Sequence, residues 1–467
     1  MQPSGGTMKV LSLVFVLFFV LGFYPVEAQS KKPLTLRDCI QIALENNPNI
    51  QTSRNLAKIA RYNAKSSLSN ILPSVSINAS GSRFRRGDAT TQADVPITRI
   101  DPVTGEPIVI GFRNQEVVNP GFQRNSYSTS LTVSQNIFDG GYWWNSIRRS
   151  RVDRMVAEED VDVRTNEIIR LVAQNFFNLL KQEKLLEVYQ LAVQRSSDNL
   201  TKTQKMFELG SVAKIDVYRA RVNLGNDKIS LINQRNVVMQ AKQALNISMG
   251  YPPNQPLEIE SEYHPQYQIP PLEELIQTAM QHQPELVRRE LDVHSQRLAV
   301  ALAKSTFFPN ISGFFSYSRD NTELEKIYTD INRNWSVSMG VRFSFNLFNG
   351  FQDQVNYQNA KINFKNAQLA LEDYKRNLIA DVRTLYQNYM DLLEIIEINK
   401  ANLEAAKEEY RLATERYKLG SATSLDVREA QVNLTDAERI VVSAEYNLII
   451  TYAELQEAVG LIQKVFQ

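Results

Sequence analysis

Cysteine and histidine are almost absent from the chain, which has one Cys and three His among its 467 residues. A single cysteine, Cys39, cannot form a disulfide within the chain or a cluster of thiolate metal ligands. The histidines, His264, His282 and His294, are not spaced like the ligands of a zinc site. The stretch "FDGGYWW" follows a strand pattern but lacks the Lys and Ser/Thr of a phosphate-binding loop. We therefore expect a protein that is not an enzyme and that holds no cofactor or metal.

A surplus of charge of one sign is missing as well. Lys plus Arg number 52 and Asp plus Glu number 51, so the formal net charge is +1. Nucleic-acid binding needs a basic surface, and this balance argues against nucleic acid as a partner.

Long apolar runs are missing after the N-terminus. There, Lys9 precedes an apolar run over Val10–Phe23, and the small residues Val26 and Ala28 follow it. A charged start, an apolar run of about 14 residues and a small-residue exit are typical of a signal peptide, here residues 1–28. The alternative is a retained membrane anchor. No later stretch approaches the roughly 20 apolar residues of a membrane-spanning helix, so we expect an exported chain without one.

Proline is absent between Asp139 and Tyr251 and from Asn349 onwards. Within both segments apolar residues recur at alternating spacings of three and four, which is typical of a coiled-coil seam. The seam comprises Val172, Phe176, Leu179, Leu186, Val193, Leu200 and Phe207, and then Leu371, Tyr374, Leu378, Leu385, Leu392 and Ile395. We predict a helix of up to 71 residues between Asp139 and Leu209, and a return helix of about 34 residues after Gly210 and again after Gly420.

One segment of sixteen residues occurs twice in similar form. "LGSVAKIDVYRARVNL" at Leu209–Leu224 and "LGSATSLDVREAQVNL" at Leu419–Leu434 share nine of sixteen positions. Further pairs match around it: "ENNPNIQ" with "QHQPELV", "NILPSVSI" with "TFFPNISG", and "NIFDGG" with "NLFNGF". These pairs predict a first repeat over residues 29–249, a proline-rich linker over 250–271 and a second repeat over 272–467.

The doubled phrase has the composition of a helical hairpin tip. Gly210 and Gly420 can adopt the left-handed conformation that ends a helix. We expect Ser211 and Ser421, with Thr423 and Ser424 in the second copy, to cap the return helices. The aspartates Asp216 and Asp426 fall in the first turn of those helices, where a carboxylate meets the positive end of the helix dipole.

Four stretches alternate with period two, around Val75, over Ser126–Phe138, around Phe315, and over Trp335–Phe348. One face is apolar, the other is mostly serine, and aromatic residues lie at strand ends. Strands of about 10 to 14 residues can cross a bilayer at a tilt. A soluble β-sandwich is the alternative. The loop Arg85–Arg124 is much longer than Asp320–Asn334, and long loops belong outside the cell.

Four membrane strands cannot close a barrel within one chain, and open sheet edges are not tolerated in lipid. Two chains would give eight strands with a filled interior, and three chains would give twelve strands with a lumen. The small polar residues of the inner face favour the open pore.

These motifs together resemble the TolC-like outer-membrane efflux proteins over nearly all of the mature sequence. The resemblance implies a mainly α fold with a β-barrel part: a homotrimer with a twelve-stranded barrel in outer-membrane lipid and a periplasmic α-barrel of coiled-coil hairpins. It further implies an exit duct of a tripartite efflux or type I secretion system. Its partners would be a periplasmic membrane-fusion adaptor and an inner-membrane efflux pump or ABC exporter.

The resemblance also implies site residues. The adaptor-docking tips would be Leu209, Gly210, Ser211, Leu419, Gly420 and Ser421, although many relatives have Val-Gly-Leu there. The periplasmic gate would comprise Asp216, Tyr417, Asp426 and Glu429. Three copies of these carboxylates would form a negative ring at the narrow end of the tube. The alternative is that the aspartates only stabilise helix starts.

Two other functions stay open on the sequence. One is a structural or adhesive outer-membrane protein whose helices only separate the barrel from the cell wall. The other is a soluble periplasmic coiled coil. The exported cargo is not readable from the residues.

Overall fold

The computed structural model describes residues 33–260 and 269–466. The predicted signal peptide lies outside the described residues, as does the middle of the predicted linker with His264. The described chain is mostly helical with a smaller sheet component, as the predicted fold class requires. Within these two ranges, no helix is both long and apolar enough to cross a bilayer.

The first part of the chain leads through a sheet region into a long helical hairpin. Its elements are α1 (Leu36–Asn46), α2 (Pro48–Ser66), β1 (Ser74–Arg86), β2 (Ala89–Ile100), β3 (Pro107–Asn119), β4 (Phe122–Phe138), α3 (Tyr142–Glu208) and α4 (Lys214–Ser248). The helix α3 has 67 residues and is therefore about 100 Å long. The return helix α4 has 35 residues. Both helices confirm the prediction drawn from the missing prolines.

The second part has the same order of long elements. It contains α5 (Leu272–His282), α6 (Pro284–Ser305), β5 (Asn310–Asn321), α7 (Leu324–Thr329), β6 (Trp335–Ser344), α8 (Gln352–Lys418), α9 (Ser424–Ala458) and α10 (Ile462–Phe466). The helices α8 and α9 have 67 and 35 residues, like α3 and α4.

Four strands form one antiparallel sheet in the order β1-β4-β5-β6. The two predicted hairpins are present as β1/β4 and β5/β6, and β4 pairs with β5 between them. The last strand ends at Ser344, so the prediction that it extends to Phe348 is wrong. The physical reason is that β5 begins at Asn310, directly after Pro309, and offers no partner to residues 345–348.

The long segment between β1 and β4 is not an irregular loop. The strands β2 and β3 pair there from Ala89↔Asn119 to Ile100↔Pro107, with a bulge between Ile97 and Thr98. The polar residues within "TTQADVPITR" interrupt the apolar–polar alternation by which a strand is recognised in a sequence, so this strand pair was not predicted. The segment Arg85–Arg124, predicted only as a long loop, therefore contains a pair of strands that was not predicted.

The two faces of the four-stranded sheet differ, as the alternation predicts. On one face serine hydroxyls meet across strands, at 2.6 Å for Ser74–Ser134, 2.8 Å for Ser80–Ser128 and 2.7 Å for Ser318–Ser336. On the other face apolar side chains are uncovered: Ile77 is 74% and Met339 78% exposed. Within the described chain, β1 and β6 each have a neighbouring strand on one side only.

The apolar core lies along the middle of α3, where α1, α4 and the end of α9 pack against it. The predicted seam residues Val172, Phe176 and Leu179 are fully buried there. In α8 the predicted seam is mostly half-exposed, and Leu378 is its buried member. Cys39 lies in the core, and burial raises the pKa of its thiol to about 12, so it stays an unreactive thiol.

Candidate functional site

The two hairpin tips are built by the same backbone geometry. Gly210 and Gly420 have φ of +76° and +74°, which confirms the predicted left-handed conformation. The N–H of Gly420 donates to the carbonyl of Tyr417 at 3.1 Å, and the N–H of Ser421 donates to the carbonyl of Arg416 at 2.9 Å. The first tip has the equivalent pair of bonds. This is the Schellman arrangement, which closes the end of each long helix.

Of the predicted caps of the return helices, Thr423 is confirmed, and the two serines Ser211 and Ser421 are not. The N-cap of α9 is Thr423, whose hydroxyl accepts from the N–H of Asp426 at 3.3 Å, while the Asp426 carboxylate accepts from the N–H of Thr423 at 2.7 Å. The N-cap of α4 is Ala213, which has no side chain to cap with. The expectation that Ser211 and Ser421 cap these helices is therefore wrong. Their N–H groups instead complete the preceding turns.

The predicted gate residues have three different environments. Asp426 is occupied by its own capping box, and the hydrogen bonds from Thr423 lower its pKa. Glu429 is exposed one turn further along α9. Asp216 accepts a hydrogen bond from the hydroxyl of Ser424 at 3.0 Å, so it joins the starts of α4 and α9. Asp216 and Asp426 therefore both lie at the start of α9, each with a hydrogen-bond partner of its own.

Tyr417 lies inside the chain rather than on its surface. Its side chain is 3% exposed, and its hydroxyl lies 3.5 Å from the hydroxyl of Thr203 on α3. The ammonium of Lys202 lies 5.7 Å from the centre of its ring. Tyr417 thus holds the ends of the two long helices together.

A buried polar cluster, which the sequence does not reveal, joins the two hairpins above the tips. We call Ser196, Asp227, Arg428 and Gln431 the inter-hairpin cluster. The Arg428 guanidinium donates twice to the Asp227 carboxylate, at 2.7 and 3.0 Å. Gln431 donates to the Ser196 hydroxyl at 2.7 Å, and Ser196 in turn donates to Asp227. These residues come from α3, α4 and α9, so the cluster ties the first hairpin to the second.

A second ion pair supports the same contact. The Arg195 guanidinium of α3 donates to the Glu438 carboxylate of α9 at 2.5 Å, and their side chains are 16% and 17% exposed. Buried pairs of this kind are costly to break on one side, because the remaining charge stays desolvated. Neither the inter-hairpin cluster nor the Arg195–Glu438 pair can be recognised from a sequence motif. The available signal is a polar residue at a helix position that faces another helix.

The tips themselves expose apolar surface. Leu209 and Leu419 are 81% and 83% exposed. Between the two hairpins an open groove of about 390 Å³ is lined by apolar side chains with polar ones beside them. Its apolar lining consists of Ile215, Tyr218, Ala220, Val222 and Leu425. Such a surface can receive apolar side chains of another protein.

No group of three or more His, Cys, Asp and Glu within the described ranges could hold a metal ion.

Comparisons with known proteins give the same architecture. The family model described as outer membrane efflux protein matches residues 39–251 and 275–461. The chain is 24% identical to the outer membrane protein TolC of Escherichia coli over 367 residues, which cover 76% of this chain and 72% of that protein. It is 20% identical to the alkaline protease secretion protein AprF of Pseudomonas aeruginosa over 439 residues, covering 92% and 85%. The crystal structure of the CmeC outer membrane channel of Campylobacter jejuni superimposes with a TM-score of 0.77 at 19% identity, covering 91% of this chain and 86% of that one.

Proposed function

The chain belongs to the family of outer membrane efflux proteins, and on that premise we propose that it forms the outer-membrane exit duct of a tripartite efflux or type I secretion system. The duct is a passive conduit. Energy comes from an inner-membrane pump or ABC exporter, which reaches the duct through a periplasmic adaptor.

The observation that carries this proposal is the sheet with two unpaired edges and one apolar, exposed face. Lipid does not tolerate unpaired strand edges, so β1 of one copy needs β6 of another. Three copies close a twelve-stranded barrel, whose serine face lines a lumen and whose apolar face meets lipid. The half-exposed seam of α8 supports the same closure below the membrane, because a neighbouring copy would cover it. The helices, about 100 Å long, then form the periplasmic tube.

The tips are the proposed docking site of the adaptor. The exposed leucines Leu209 and Leu419 end the two hairpins, and the apolar groove lies between them. Gly210, Gly420, Ser211 and Ser421 shape the turns that present this surface. An adaptor whose own helical tip carries apolar side chains fits this chemistry.

The gate is proposed at the same end of the tube. Three copies of Glu429, with Asp426 and Asp216 beside them, bring carboxylates together around the axis and attract cations. Tyr417 acts from within the chain by fixing the two long helices against each other. The inter-hairpin cluster acts as a latch, because opening the tube requires the second hairpin to move relative to the first.

A deletion strain that carries the chain on a plasmid tests the proposal. The intact chain should restore export of drugs or of a secreted protein, whereas the Gly210→Val with Gly420→Val variant should restore none while still reaching the outer membrane. A structural or adhesive protein would give equal phenotypes for the two forms. Whether drugs or a protein are restored separates the efflux role from the secretion role, and AprF is a relative whose name specifies secretion.

A further inference from the structure

Four arginines lie at the outer end of the β1/β4 hairpin: Arg83, Arg85, Arg86 and Arg124. Among the described residues, none of the four guanidinium groups has a carboxylate within salt-bridge distance. The nearby acidic residue, Asp88, accepts the N–H of Gly121 at 2.6 Å, which fixes the base of the β2/β3 ribbon. The four guanidinium groups are therefore available to bind an anionic group that does not belong to the described residues.

The pairing register divides the arginines between the two faces of the sheet. Arg83 and Arg85 alternate in step with Val75 and Ile77, so they lie on the apolar face. Arg86 and Arg124 lie on the serine face. The rings of Phe84 and Phe122, which belong to that face, lie 5.7 Å apart and verify the assignment.

The outward pair lies at a definite height. From Val75, Arg83 is eight residues and Arg85 ten residues along β1. At about 3.3 Å per residue and a tilt near 40°, they lie roughly 20 and 25 Å higher. This is the height of the apolar band of such a barrel, about 25 Å. Directly below Arg83, a Cβ on Gly81 would lie 2.9 Å from the ring of Tyr127, so this aromatic ring covers the glycine at the edge of the band.

We propose that Arg83 and Arg85 bind the phosphate groups of a glycolipid headgroup in the outer leaflet. The proposal rests on the proposed function, which assigns the apolar face to lipid. The Cα atoms of two arginines at positions i and i+2 lie about 7 Å apart on one strand face, and each guanidinium group can take a phosphate oxygen pair in the bidentate manner. At the boundary of the apolar band these bonds are less screened by water than at an ordinary surface.

The test compares two variants that remove the same charge from opposite faces: Arg83→Gln with Arg85→Gln, and Arg86→Gln with Arg124→Gln. Binding of bisphosphorylated lipid A to the full-length protein in mild detergent is measured at fixed salt. We expect the outer variant to bind at least about tenfold more weakly and the inner variant to bind within about twofold of the parent. Lipid A stripped of its phosphates should bind the parent as weakly as lipid A binds the outer variant. Millimolar inorganic phosphate should not displace lipid A, because the acyl chains hold the headgroup at the site.

If the two variants bind lipid A equally weakly, the binding depends only on general charge attraction, and the proposal is overturned. Unchanged affinity in the outer variant, or displacement by inorganic phosphate, would overturn it as well. If the glutamine pair fails to assemble, Arg83→Lys with Arg85→Lys keeps the charge but loses the bidentate geometry. That variant should bind severalfold more weakly, and parental affinity would contradict the proposal.

Single-channel recording separates this inference from the proposed function. The inner variant removes positive charge from the lumen, so it should shift permeability towards cations, whereas the outer variant should not. A shift in the inner variant without a lipid effect in the outer one leaves the duct standing and removes the lipid site. If the outer variant shifts selectivity and the inner variant keeps the parental value, the assignment of the two faces is reversed, and the lipid site fails with it.

Discussion

Replacing Arg428 by methionine should raise the open probability of the channel, because the latch between the two hairpins loses its central charge pair. The side chains of Arg428 and Asp227 are 21% and 14% exposed. Removing one partner of a fully buried pair costs about 3–5 kcal/mol, and an exposed pair contributes about 0–1 kcal/mol. We take about 2 kcal/mol for this mostly buried pair. If the pair exists only in the closed arrangement, the ratio of closed to open forms falls by about 30-fold per chain.

The assay is single-channel recording in planar bilayers, with the open fraction counted over long traces. The matched control is Arg411→Met, which likewise deletes an arginine paired with carboxylates, in this case two of them. Its partners Glu408 and Glu415 lie on the same helix, and its side chain is 53% exposed. The control should keep the parental open fraction. A double-mutant cycle with Asp227→Asn should give a coupling energy of about 1–2 kcal/mol. Equal open fractions for Arg428→Met and Arg411→Met would refute the latch.

Three further predictions concern the tip, the ring and the core. Gly420→Ala should destabilise the chain by about 1 kcal/mol and lower export, because Gly420 has a positive φ. The control Gly225→Ala, at an open position within α4, should be neutral or stabilising. Similar chemical denaturation midpoints for the two variants would contradict this account of the turn. Asp426→Asn with Glu429→Gln should weaken block by trivalent cations and reduce cation selectivity, with Asp436→Asn as control; unchanged block with intact helices would leave the carboxylates as caps only. Burial raises the pKa of Glu457 and of Glu454, so the folded chain keeps protons that the unfolded chain releases. The free energy of unfolding should therefore fall as pH rises from the ordinary glutamate value of 4.5 through the raised pKa, and Glu457→Gln should flatten this slope in denaturant titrations; a slope equal to that of the parent would contradict it.

The long helices and the four-stranded sheet were predictable because their signals are periodic and local. A proline-free seam of more than 60 residues has few alternatives to a helix, and strict alternation of serine with apolar residues has few alternatives to a strand with two different faces. The positive φ of Gly210 and Gly420 followed from a glycine placed between two such helices.

The features that were missed depend on partners far apart in the chain. The end of β6 is set by Pro309, which directly precedes the neighbouring strand β5. The position of each N-cap depends on which residue after the tip glycine begins the return helix. The burial of Tyr417 depends on Thr203, more than 200 residues away. The pairing of Arg428 with Asp227 likewise joins residues that are far apart in the sequence. A polar residue on a long helix gives no local sign of whether it faces water or another helix.

The mass of the detergent-extracted complex tests most directly whether the chain closes a duct by self-assembly. Size-exclusion chromatography with multi-angle light scattering, corrected for bound detergent, gives the number of chains per particle. The account predicts three chains, since three four-stranded sheets close one twelve-stranded barrel. A stable particle of one or two chains would contradict it.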